Sequence, residues 1–580
     1  MDSMLDKIES PQELKKLNIK ELKQLAKEIR QLLIEKISIA GGHLGSNLGI
    51  VEMCIALHYV FQTPKDKIIY DGSHQTYVHK ILTDRKNSFY KFGEYGGITG
   101  LSNSDESEHD IFKVGHTSTS ISLSIGLAIA RDLLEKKGNI ISVIGDGCLS
   151  GGESFEALNN ACKVNGQLLI IVNDNNMSIA ENQGGLYKNL RDLRETKGKC
   201  SNNYFKSMGL EYRYIDEGND IQTLIEEFEK VKDYNKPIVL HIYTEKGKGY
   251  KFAEDDKEKY HWADPFNVEN GRFYSENDTK MTYKKAIEKH LEELVKKNEK
   301  IVAINAAIPI ILGIKEFREK YSEKYIDVGI AEQHSISLAA GMAKNGMKPI
   351  VLHMASFLQR GYDQIFQDCC MNKQNVVIIV EGAGISYGNE SHSGMYDIPM
   401  MTHIPNLIYI APRDGKELEM MMDWALEQNT TIGIRVPFNY LPGDDGKTRK
   451  SIELGKYEVI EKGNEIAILA LGNFFELGKR LKEQIKIKFN IEATFINPRF
   501  INNLDSDLLN DLLFEHKKII TLEDGILDGG FGEKISRFYS DKDIKVYNFG
   551  ADREFADKIK LNELMKKYNL TVDKIIDKIF

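Results

Sequence analysis

The sequence predicts an α/β protein built from three consecutive α/β domains. Short apolar runs alternate with longer helical stretches along the chain, which is typical of parallel β-sheets covered by helices. Two polar stretches rich in turn-forming residues, Trp262–Thr282 and Pro442–Gly446, interrupt this alternation. At about 150 residues per domain, 580 residues allow three to four domains. We therefore expect domains at residues 1–275, 276–445 and 446–580.

The first domain begins with an amphipathic helix, and apolar runs follow it. The run Ile140–Ile144 leads to Asp146 between two glycines, and the run Leu168–Val172 leads to a polar segment that contains Asn175. Asp146 and Asn175 are 29 positions apart, which is the length of one strand–helix–strand unit. We expect these two residues side by side at the carboxyl ends of neighbouring strands, where open α/β sheets bind ligands.

This pair of polar residues is suited to a magnesium diphosphate. A carboxylate, an amide oxygen and a main-chain carbonyl are hard ligands, and Mg²⁺ usually takes only one or two protein carboxylates before phosphate oxygens and water complete its shell. Glycines beside Asp146 would let the backbone approach the phosphates, and a helix that begins near Gly151–Glu153 would point its N-terminus towards them. The alternative is an ordinary tight turn between a strand and a helix.

Three further loops of this domain each carry a histidine close to a glycine. They are Gly41–Ser46 with His43, Asp71–Gln75 with His74, and Gly115–Thr119 with His116. A histidine on such a loop is exposed to a ligand and titrates near neutral pH, which suits proton transfer. Together the loops predict a polar cleft that tolerates phosphate, although each histidine alone could be a capping or packing residue. The loop Lys246–Tyr250, which leads to His261, adds a cation, but a solvated loop would look similar.

The second and third domains repeat the alternation of apolar runs and helices. The runs are Ile301–Asn305, Pro349–His353, Val376–Val380, Leu407–Ala411 and Ile432–Val436, then Ile466–Ala470, Ala493–Ile496, Ile519–Leu522 and Ile544–Phe549. Glu332 is an acid in an otherwise apolar helix start, and burial would raise its pKa so that it can share a proton with a ring nitrogen. The alternative is a charge that only stabilises the helix N-terminus. Phe357–Arg360 and Ser391–Gly394 complete the candidate residues.

The charge balance argues against a protein that binds nucleic acid or a membrane surface. With 77 basic and 86 acidic residues, the net charge is −9. The N-terminus is polar and acidic, unlike a signal peptide, and no apolar stretch is long enough to span a bilayer, so we expect a cytoplasmic location. The six cysteines show no Cys-x-x-Cys spacing and suggest neither a zinc site nor a disulfide framework.

Six segments, taken in order, resemble the 1-deoxy-D-xylulose-5-phosphate synthase family, which comprises thiamine-diphosphate enzymes of the transketolase superfamily. These segments are Gly41–Ser46, Gly115–Ser120, Gly145–Gly147, Asn173–Asn175 with Met177–Ile179, Gly329–His334 and Phe357–Arg360. The resemblance covers nearly the whole chain. It implies a transketolase-type fold, with diphosphate-binding and pyrimidine-binding domains that contain mainly parallel sheets, a C-terminal transketolase domain, and a homodimer.

The resemblance also implies roles for individual residues. Mg²⁺ would be held by Asp146, Asn175 and the carbonyl of Met177. The residues that would line thiamine diphosphate are His74, Gly115, His116, Thr117, Gly147, Cys148, Asn175, Tyr250 and Phe357. Glu332 would hydrogen-bond the aminopyrimidine ring of the cofactor. The residues that would contact or exchange protons with the substrates are His43, His261, His392 and Arg360. The implied reaction decarboxylates pyruvate and joins the two-carbon unit to an aldehyde, glyceraldehyde 3-phosphate in the family.

The chain departs from the family pattern on the side of the aldehyde acceptor. Gly382 and Phe438 stand where the family has arginines that contact the acceptor's phosphate. Hydrogen bonds to charged groups contribute about 1.5–3 kcal/mol each, so losing two weakens binding of a phosphorylated acceptor by several orders of magnitude in the worst case. The loop Tyr387–His392 lacks the family's aspartate, which Asn389 or Glu390 could replace.

Three functions therefore remain open. The first keeps the family reaction, with Arg360, Arg413 or a nearby lysine replacing the lost phosphate contacts. The second is a carboligase that uses a different aldehyde, unphosphorylated or more apolar. The third is a cofactor-binding protein without turnover, but a protein freed from catalysis has no need of the proton-sharing carboxylate of Glu332. We expect a thiamine-diphosphate carboligase and leave the identity of its aldehyde acceptor open.

Overall fold

The computed structural model describes residues 3–92, 97–277, 280–386, 390–443 and 449–580. The chain divides into two compact units. The first comprises Met1–Thr279 with Gly329–Ala331, and the second comprises Lys280–Val328 with Glu332–Phe580. Predominantly parallel sheets with intervening helices confirm the predicted α/β class. The three domain boundaries expected from the sequence remain predictions.

The first unit contains a five-stranded sheet in the order β1-β2-β3-β5-β4, in which all strands run parallel. The strands are β1 Lys67–Tyr70, β2 Ile140–Gly145, β3 Leu168–Asp174, β4 Glu211–Ile215 and β5 Pro237–Tyr243. The helices are α1 Pro11–Leu14, α2 Ile19–Ala40, α3 Gly45–Gly49, α4 Val51–Val60, α5 Tyr77–Lys80, α6 Lys86–Phe89, α7 Ser120–Leu133, α8 Gly152–Ala161, α9 Gly185–Glu195, α10 Tyr204–Ser207, α11 Ile221–Val231 and α12 Lys251–Asp255.

The predicted strand–helix–strand unit is β2, α8 and β3. Gly145 pairs with Asn173 at the end of the β2–β3 ladder, so the loops that carry Asp146 and Asn175 leave the sheet at one edge. All seven residues of β3 are buried, because hydrophobic clusters cover both faces of the sheet. The clusters draw on α2, α4 and α11 on one side and on α7 and α8 on the other.

The second unit contains two sheets. The six-stranded sheet has the order β10-β11-β9-β8-β6-β7 and is parallel throughout. Its strands are β6 Ile301–Asn305, β7 Tyr325–Asp327, β8 Lys348–Met354, β9 Val377–Glu381, β10 Leu407–Ile410 and β11 Thr431–Val436. The accompanying helices are α13 Tyr283–Lys297, α14 Lys315–Lys320, α15 Glu332–Lys344, α16 Ala355–Leu358, α17 Tyr362–Gln364, α18 Asp397–Thr402 and α19 Gly415–Leu426.

The C-terminal sheet of the second unit is mixed, because β12 runs antiparallel to β14 while the other pairs are parallel. Its order is β12-β14-β13-β15-β16. The strands are β12 Glu458–Glu461, β13 Glu465–Ala470, β14 Thr494–Asn497, β15 His516–Ile526 and β16 Lys545–Ala551. The helices are α20 Phe475–Phe489, α21 Ser506–Asp511, α22 Phe531–Phe538, α23 Leu561–Lys567 and α24 Val572–Ile579.

The segment predicted as a linker between the first two domains is partly built into the first unit. Ala263 and Phe266 are buried, and the backbone of Ala263 exchanges two 2.8 Å hydrogen bonds with Gly42. The turn-forming residues between Ala263 and Phe266 therefore bend the chain along the first unit, and this part of the segment is not a free linker. Among the described helices, none combines the length and the apolar composition needed to cross a bilayer.

Candidate active site

Asp146 begins the short 3₁₀ turn Asp146–Ser150 after β2 and is buried. Its carboxylate accepts a 2.7 Å hydrogen bond from the Asn182 amide, and the Tyr187 hydroxyl fixes the turn by donating to the Gly147 carbonyl at 3.1 Å. Burial raises the pKa of Asp146 well above its ordinary value, and the charge of Asp174 raises it further. A bound cation would offset both effects, so this carboxyl is suited to a metal.

Asn175 supplies an oxygen that no described residue satisfies. Its Oδ1 is buried and accepts no hydrogen bond from any described residue. A side chain at Gly147 would overlap the Cβ of Ser178, so glycine is what lets the two loops approach this closely. The described residues include no group of three or more His, Cys, Asp or Glu placed to hold a metal. A carboxylate with an amide and a carbonyl, such as that of Met177, is the donor set that fits Mg²⁺ here.

The loop that carries Gly115, His116 and Thr117 is fastened to the end of β1. The Asp71 carboxylate accepts hydrogen bonds from the backbone N–H of Ser118 at 2.6 Å and from that of Ser120 at 2.9 Å. The Ser118 hydroxyl in turn donates to the carbonyl of buried Cys148 at 2.8 Å. Asp71 therefore brings two of the predicted cofactor loops together, and Gly115, His116 and Thr117 are half-buried there.

Three histidines from distant parts of the sequence form one cluster. The ring centroids lie 5.5 Å apart for His43 and His74, 5.5 Å for His43 and His261, and 5.2 Å for His74 and His261. One side chain sets the spacing of two of the loops, since the Asn47 amide donates to the carbonyls of His43 at 2.7 Å and His74 at 2.8 Å. Two of the three histidines singled out in the glycine-rich loops, His43 and His74, therefore lie together, and His261 joins them, while the predicted polar cleft remains a prediction.

The expectation that the histidines of the glycine-rich loops titrate near neutral pH is wrong for His74. Burial lowers the pKa of His74 to about 4, and the charge of Lys246 contributes. Burial also holds the pKa of His261 well below its ordinary value. Both rings are therefore neutral at pH 7, and each can donate from one nitrogen and accept at the other.

Lys246 is a residue of this site that the sequence did not single out from its loop. Its ammonium is buried, donates to the Ser178 carbonyl at 2.6 Å and lies 3.2 Å from His261 Nδ1. Burial lowers the pKa of Lys246 to about 8, while Asp146 acts in the opposite direction. Lys246 thus connects the predicted metal loop with the histidine cluster.

Tyr250, on the same loop, lies in the hydrophobic core of the first unit. Its ring packs against Phe252, Tyr260 and Phe266, and its hydroxyl donates to the Val268 carbonyl at 3.0 Å. These contacts anchor the loop that carries Lys246. A direct role of Tyr250 in cofactor binding remains a prediction.

In the second unit, Glu332 opens α15 and is only 4% exposed. Its Oε2 accepts no hydrogen bond from the described residues and lies 3.9 Å from Arg360 Nη1. Burial raises the pKa of Glu332, and Arg360 partly opposes the shift. The Ser335 hydroxyl donates to the Glu332 carbonyl at 2.6 Å and fixes the first turn of the helix. This buried carboxyl can share a proton with a ligand.

Phe357 and His392 are neighbours in the second unit, with ring centroids 5.4 Å apart and the rings nearly perpendicular. An isolated backbone bridge between Gly384 and Gly394 holds the His392 loop against the end of β9. Tyr387–Asn389 lie outside the described residues, and so does the predicted replacement of the family's aspartate by Asn389.

Arg413 is held in the interior of the second unit by ion pairs. It is buried, its Nε lies 3.3 Å from Asp414, its Nη1 lies 3.2 Å from Glu458, and its guanidinium covers the Phe475 ring. Removing it from these acids would leave buried charges unpaired. The structure therefore disfavours Arg413 as a substitute for the missing phosphate contacts.

Glu381, the last residue of β9, has a buried carboxyl group. Neither of its oxygens has a hydrogen-bond partner among the described residues. Burial raises its pKa from an ordinary 4.5 to about 8, although the charge of Lys284 acts to lower it.

We expect Glu381→Gln to stabilise the protein at pH 8 and to do so much less at pH 4.5. Between about pH 4.5 and 8 the unfolded chain loses this proton while the folded chain keeps it, so rising pH lowers the free energy of unfolding. Glutamine does not titrate, so the variant avoids this fall in the free energy of unfolding. Thermal unfolding midpoints at the two pH values measure the effect, with exposed Glu419→Gln as the control. An equal shift at both pH values would contradict the raised pKa.

Three sequence models of protein families match this chain in order. The model described as 1-deoxy-D-xylulose-5-phosphate synthase matches residues 5–201, the transketolase pyrimidine binding domain matches 279–442, and the transketolase C-terminal domain matches 455–575. Together with the parallel sheets, these matches make the chain a protein of the transketolase type.

Curated relatives narrow this class. The 1-deoxy-D-xylulose-5-phosphate synthase of Clostridium beijerinckii is 38% identical over 619 aligned residues, which cover 100% of both chains. The enzyme of the same name from Alkaliphilus oremlandii is 39% identical over 622 aligned residues, covering 100% of this chain and 99% of its own. This chain belongs to the 1-deoxy-D-xylulose-5-phosphate synthase family. A solved transketolase from Campylobacter jejuni aligns with 97% of this chain and 100% of its own at 16% identity and a TM-score of 0.46.

Proposed function

We propose that this chain decarboxylates pyruvate and joins the remaining two-carbon unit to an aldehyde, as a transferase that uses thiamine diphosphate and Mg²⁺. The observation that carries this proposal is the match to synthases of 1-deoxy-D-xylulose 5-phosphate along the full length of both chains. The buried carboxyl of Glu332 favours an enzyme over a protein that only binds the cofactor, because binding alone gives no use for a proton-sharing group.

The cofactor would be held through its metal and its phosphates. Asp146, Asn175 and the Met177 carbonyl would bind Mg²⁺, and the loops fastened by Asp71 would approach the diphosphate. When bound, thiamine diphosphate supplies the carbanion and the electron sink that decarboxylation requires. Glu332 would hold a proton against a ring nitrogen of the cofactor, and Phe357 would pack on that ring.

The histidine cluster would manage protons on the substrates. The Asn47 amide holds the loops of His43 and His74 together, and burial keeps His74 and His261 neutral at pH 7. A neutral imidazole can receive a proton from a reacting hydroxyl or donate one to a carbonyl oxygen. The family resemblance implies substrate contacts for His392 and Arg360 as well.

A second candidate keeps the chemistry and changes the acceptor to an unphosphorylated aldehyde. It is favoured by Phe438, a hydrophobic ring that is 37% exposed where the resemblance implies an arginine. Gly382, the other such position, also offers no cation.

We further propose that the enzyme is a cytoplasmic homodimer. In α7, the apolar residues Ile129 and Leu133 are 44% and 79% exposed, and a second copy of the chain would cover them. Light scattering coupled to size-exclusion chromatography tests the dimer, and a monomer at all protein concentrations would contradict it.

The function is tested with purified protein, Mg²⁺, thiamine diphosphate and pyruvate. Carbon dioxide release is followed with glyceraldehyde 3-phosphate and, separately, with unphosphorylated aldehydes. Release with the phosphorylated acceptor supports the family reaction, whereas release only with other aldehydes supports the second candidate. Absence of release with every acceptor would contradict both.

A further inference from the structure

Helix α9 packs on the first sheet and contacts both segments of the predicted magnesium site. These segments, called the metal loops, are Asp146–Ser150 after β2 and Asp174–Met177 at the end of β3. The buried residues of α9 are Tyr187, Leu190 and Leu193, and all three belong to the hydrophobic cluster on the α7 and α8 side of the sheet. The helix is therefore fixed to the core, and its two ends can hold other parts of the chain in place.

The first turn of α9 holds the metal loop that follows β2. The Tyr187 hydroxyl donates to the Gly147 carbonyl at 3.1 Å and also lies 3.3 Å from the carbonyl oxygen of Asp146. Just before the helix, the Asn182 amide donates to Asp146 Oδ2 at 2.7 Å. The backbone and the carboxylate of Asp146 are thus both tied to this end of α9.

The last turn of α9 holds the metal loop at the end of β3. The Arg194 guanidinium donates to Asp174 Oδ2 at 2.6 Å and to Asn176 Oδ1 at 2.7 Å. Asp174 Oδ1 also accepts a 3.0 Å hydrogen bond from the backbone N–H of Asn176, whose φ of 60° is left-handed. Since most side chains disfavour that conformation, the guanidinium supports a turn that would otherwise form less readily.

Asn175 lies between the two residues that Arg194 holds. Its Oδ1 is buried and accepts no hydrogen bond from the described residues, whereas the side chains of Asp174 and Asn176 both contact the guanidinium. Asp174 Oδ2 is also 2.7 Å from His241 Nε2, so its carboxylate is held from two directions. The oxygen that this metal loop leaves available is therefore the predicted magnesium ligand.

Helix α9 connects the metal loops beyond the point where strand pairing ends. The ladder between β2 and β3 stops at the pair Gly145 and Asn173, so it does not extend to the predicted ligands. Seven residues separate Tyr187 from Arg194, which is about two helical turns, and the two side chains therefore lie on the same side of α9. A helix is stiffer than a loop, so one rigid element holds both metal loops.

We propose that α9 is a clamp for the two metal loops, with Tyr187 and Arg194 as positioning residues that set how tightly Mg²⁺ binds. Each residue would act through the loop that it holds, without contact to the metal. This inference rests on the proposed function, because Mg²⁺ at these loops is part of it. It extends the site to a helix that supplies none of the predicted metal ligands.

The first test is the affinity of the full-length protein for Mg²⁺ in the presence of thiamine diphosphate, measured by calorimetry. We expect Arg194→Ala to weaken binding about 10- to 100-fold, the range for residues that orient metal ligands. Arg194→Lys keeps the charge but lacks the planar fork that reaches both acceptors, so it should recover only part of the loss. Arg191→Ala, an exposed arginine of the same helix, is the matched control and should bind Mg²⁺ like the wild type.

Tyr187→Phe tests the other end of the clamp, because it removes one oxygen atom and leaves the ring in the core. We expect roughly 10-fold weaker binding of Mg²⁺. Tyr204→Phe is the control, since the Tyr204 ring packs on the same cluster and its hydroxyl has no hydrogen-bond partner among the described residues. If one helix serves both loops, Tyr187→Phe combined with Arg194→Ala should weaken binding by less than the product of the single effects.

A contact that only stabilises the fold would give a different result. It would lower the thermal unfolding midpoint of the cofactor-free protein and leave the Kd for Mg²⁺ unchanged, and that result for both single variants would overturn the clamp. If the clamp is correct, excess Mg²⁺ should return kcat for pyruvate turnover towards the wild-type value. Weaker Mg²⁺ binding by the variants of a protein that releases no carbon dioxide with any aldehyde would uphold the clamp and reject the reaction. A wild type that binds no Mg²⁺ would reject both.

Discussion

Replacing Glu332 by glutamine should lower kcat for pyruvate turnover by roughly 100- to 10,000-fold, the contribution of a positioned proton-transfer group. The carboxyl is buried at the start of α15, and burial raises its pKa, so it can hold a proton that glutamine cannot exchange. The variant keeps the size and polarity of the side chain. The loss of activity should therefore appear as a lower kcat.

Two further measurements make this result specific. Affinity for thiamine diphosphate should change little compared with kcat, because the diphosphate loops belong to the first unit. Glu319→Gln, an exposed acid of the second unit, should retain wild-type activity. A Glu332→Gln enzyme with nearly full kcat would remove Glu332 from the reaction.

Replacing Asp146 by asparagine should weaken binding of thiamine diphosphate in the presence of Mg²⁺ by at least about 100-fold. Changes to residues that only support a metal ligand cost about 10- to 100-fold, and a lost ligand charge should cost more. The same variant should be more stable than the wild type without cofactor, because burial and Asp174 both oppose the Asp146 charge.

The Asp146→Asn variant should thus bind the cofactor more weakly and yet be more stable without it, and two measurements test these opposite effects. Calorimetric titration measures the loss of cofactor affinity, and thermal unfolding of the cofactor-free protein at pH 7 measures the gain in stability. Asp255→Asn, an exposed acid of the same unit, should change neither quantity. An Asp146→Asn protein that binds the cofactor like the wild type would exclude Asp146 as a metal ligand.

Strands in the middle of the sheets could be predicted because they are buried on both faces and read as continuous apolar runs. Ile301–Asn305 is predicted to the residue, and the runs after Ile140 and Leu168 differ from the observed strands only at their ends. Two edge strands, β4 and β7, gave no such signal, whereas the edge strands β10 and β16 did. β4 alternates exposed and half-buried residues, and β7 has only three residues.

The candidate site could be predicted only where its members share a loop or a known spacing. The interval from Asp146 to Asn175 is fixed by one strand–helix–strand unit, so their common edge follows from the sequence. The sequence of the Lys246–Tyr250 loop predicted a cation in the site. It did not show that Lys246 is buried whereas Lys248 is only half-buried. The contacts of α9 with both metal loops depend on how the helix packs on the sheet, which no local pattern records.

The ring of Phe438 over Gly382 also couples these two positions. A side chain introduced at position 382 would start with its Cβ 2.6 Å from the ring, whereas an arginine introduced at position 438 would first remove the ring. We therefore expect the effects of substitutions at positions 382 and 438 on stability to be non-additive. A substitution at position 382 should be tolerated better once the phenylalanine has been replaced.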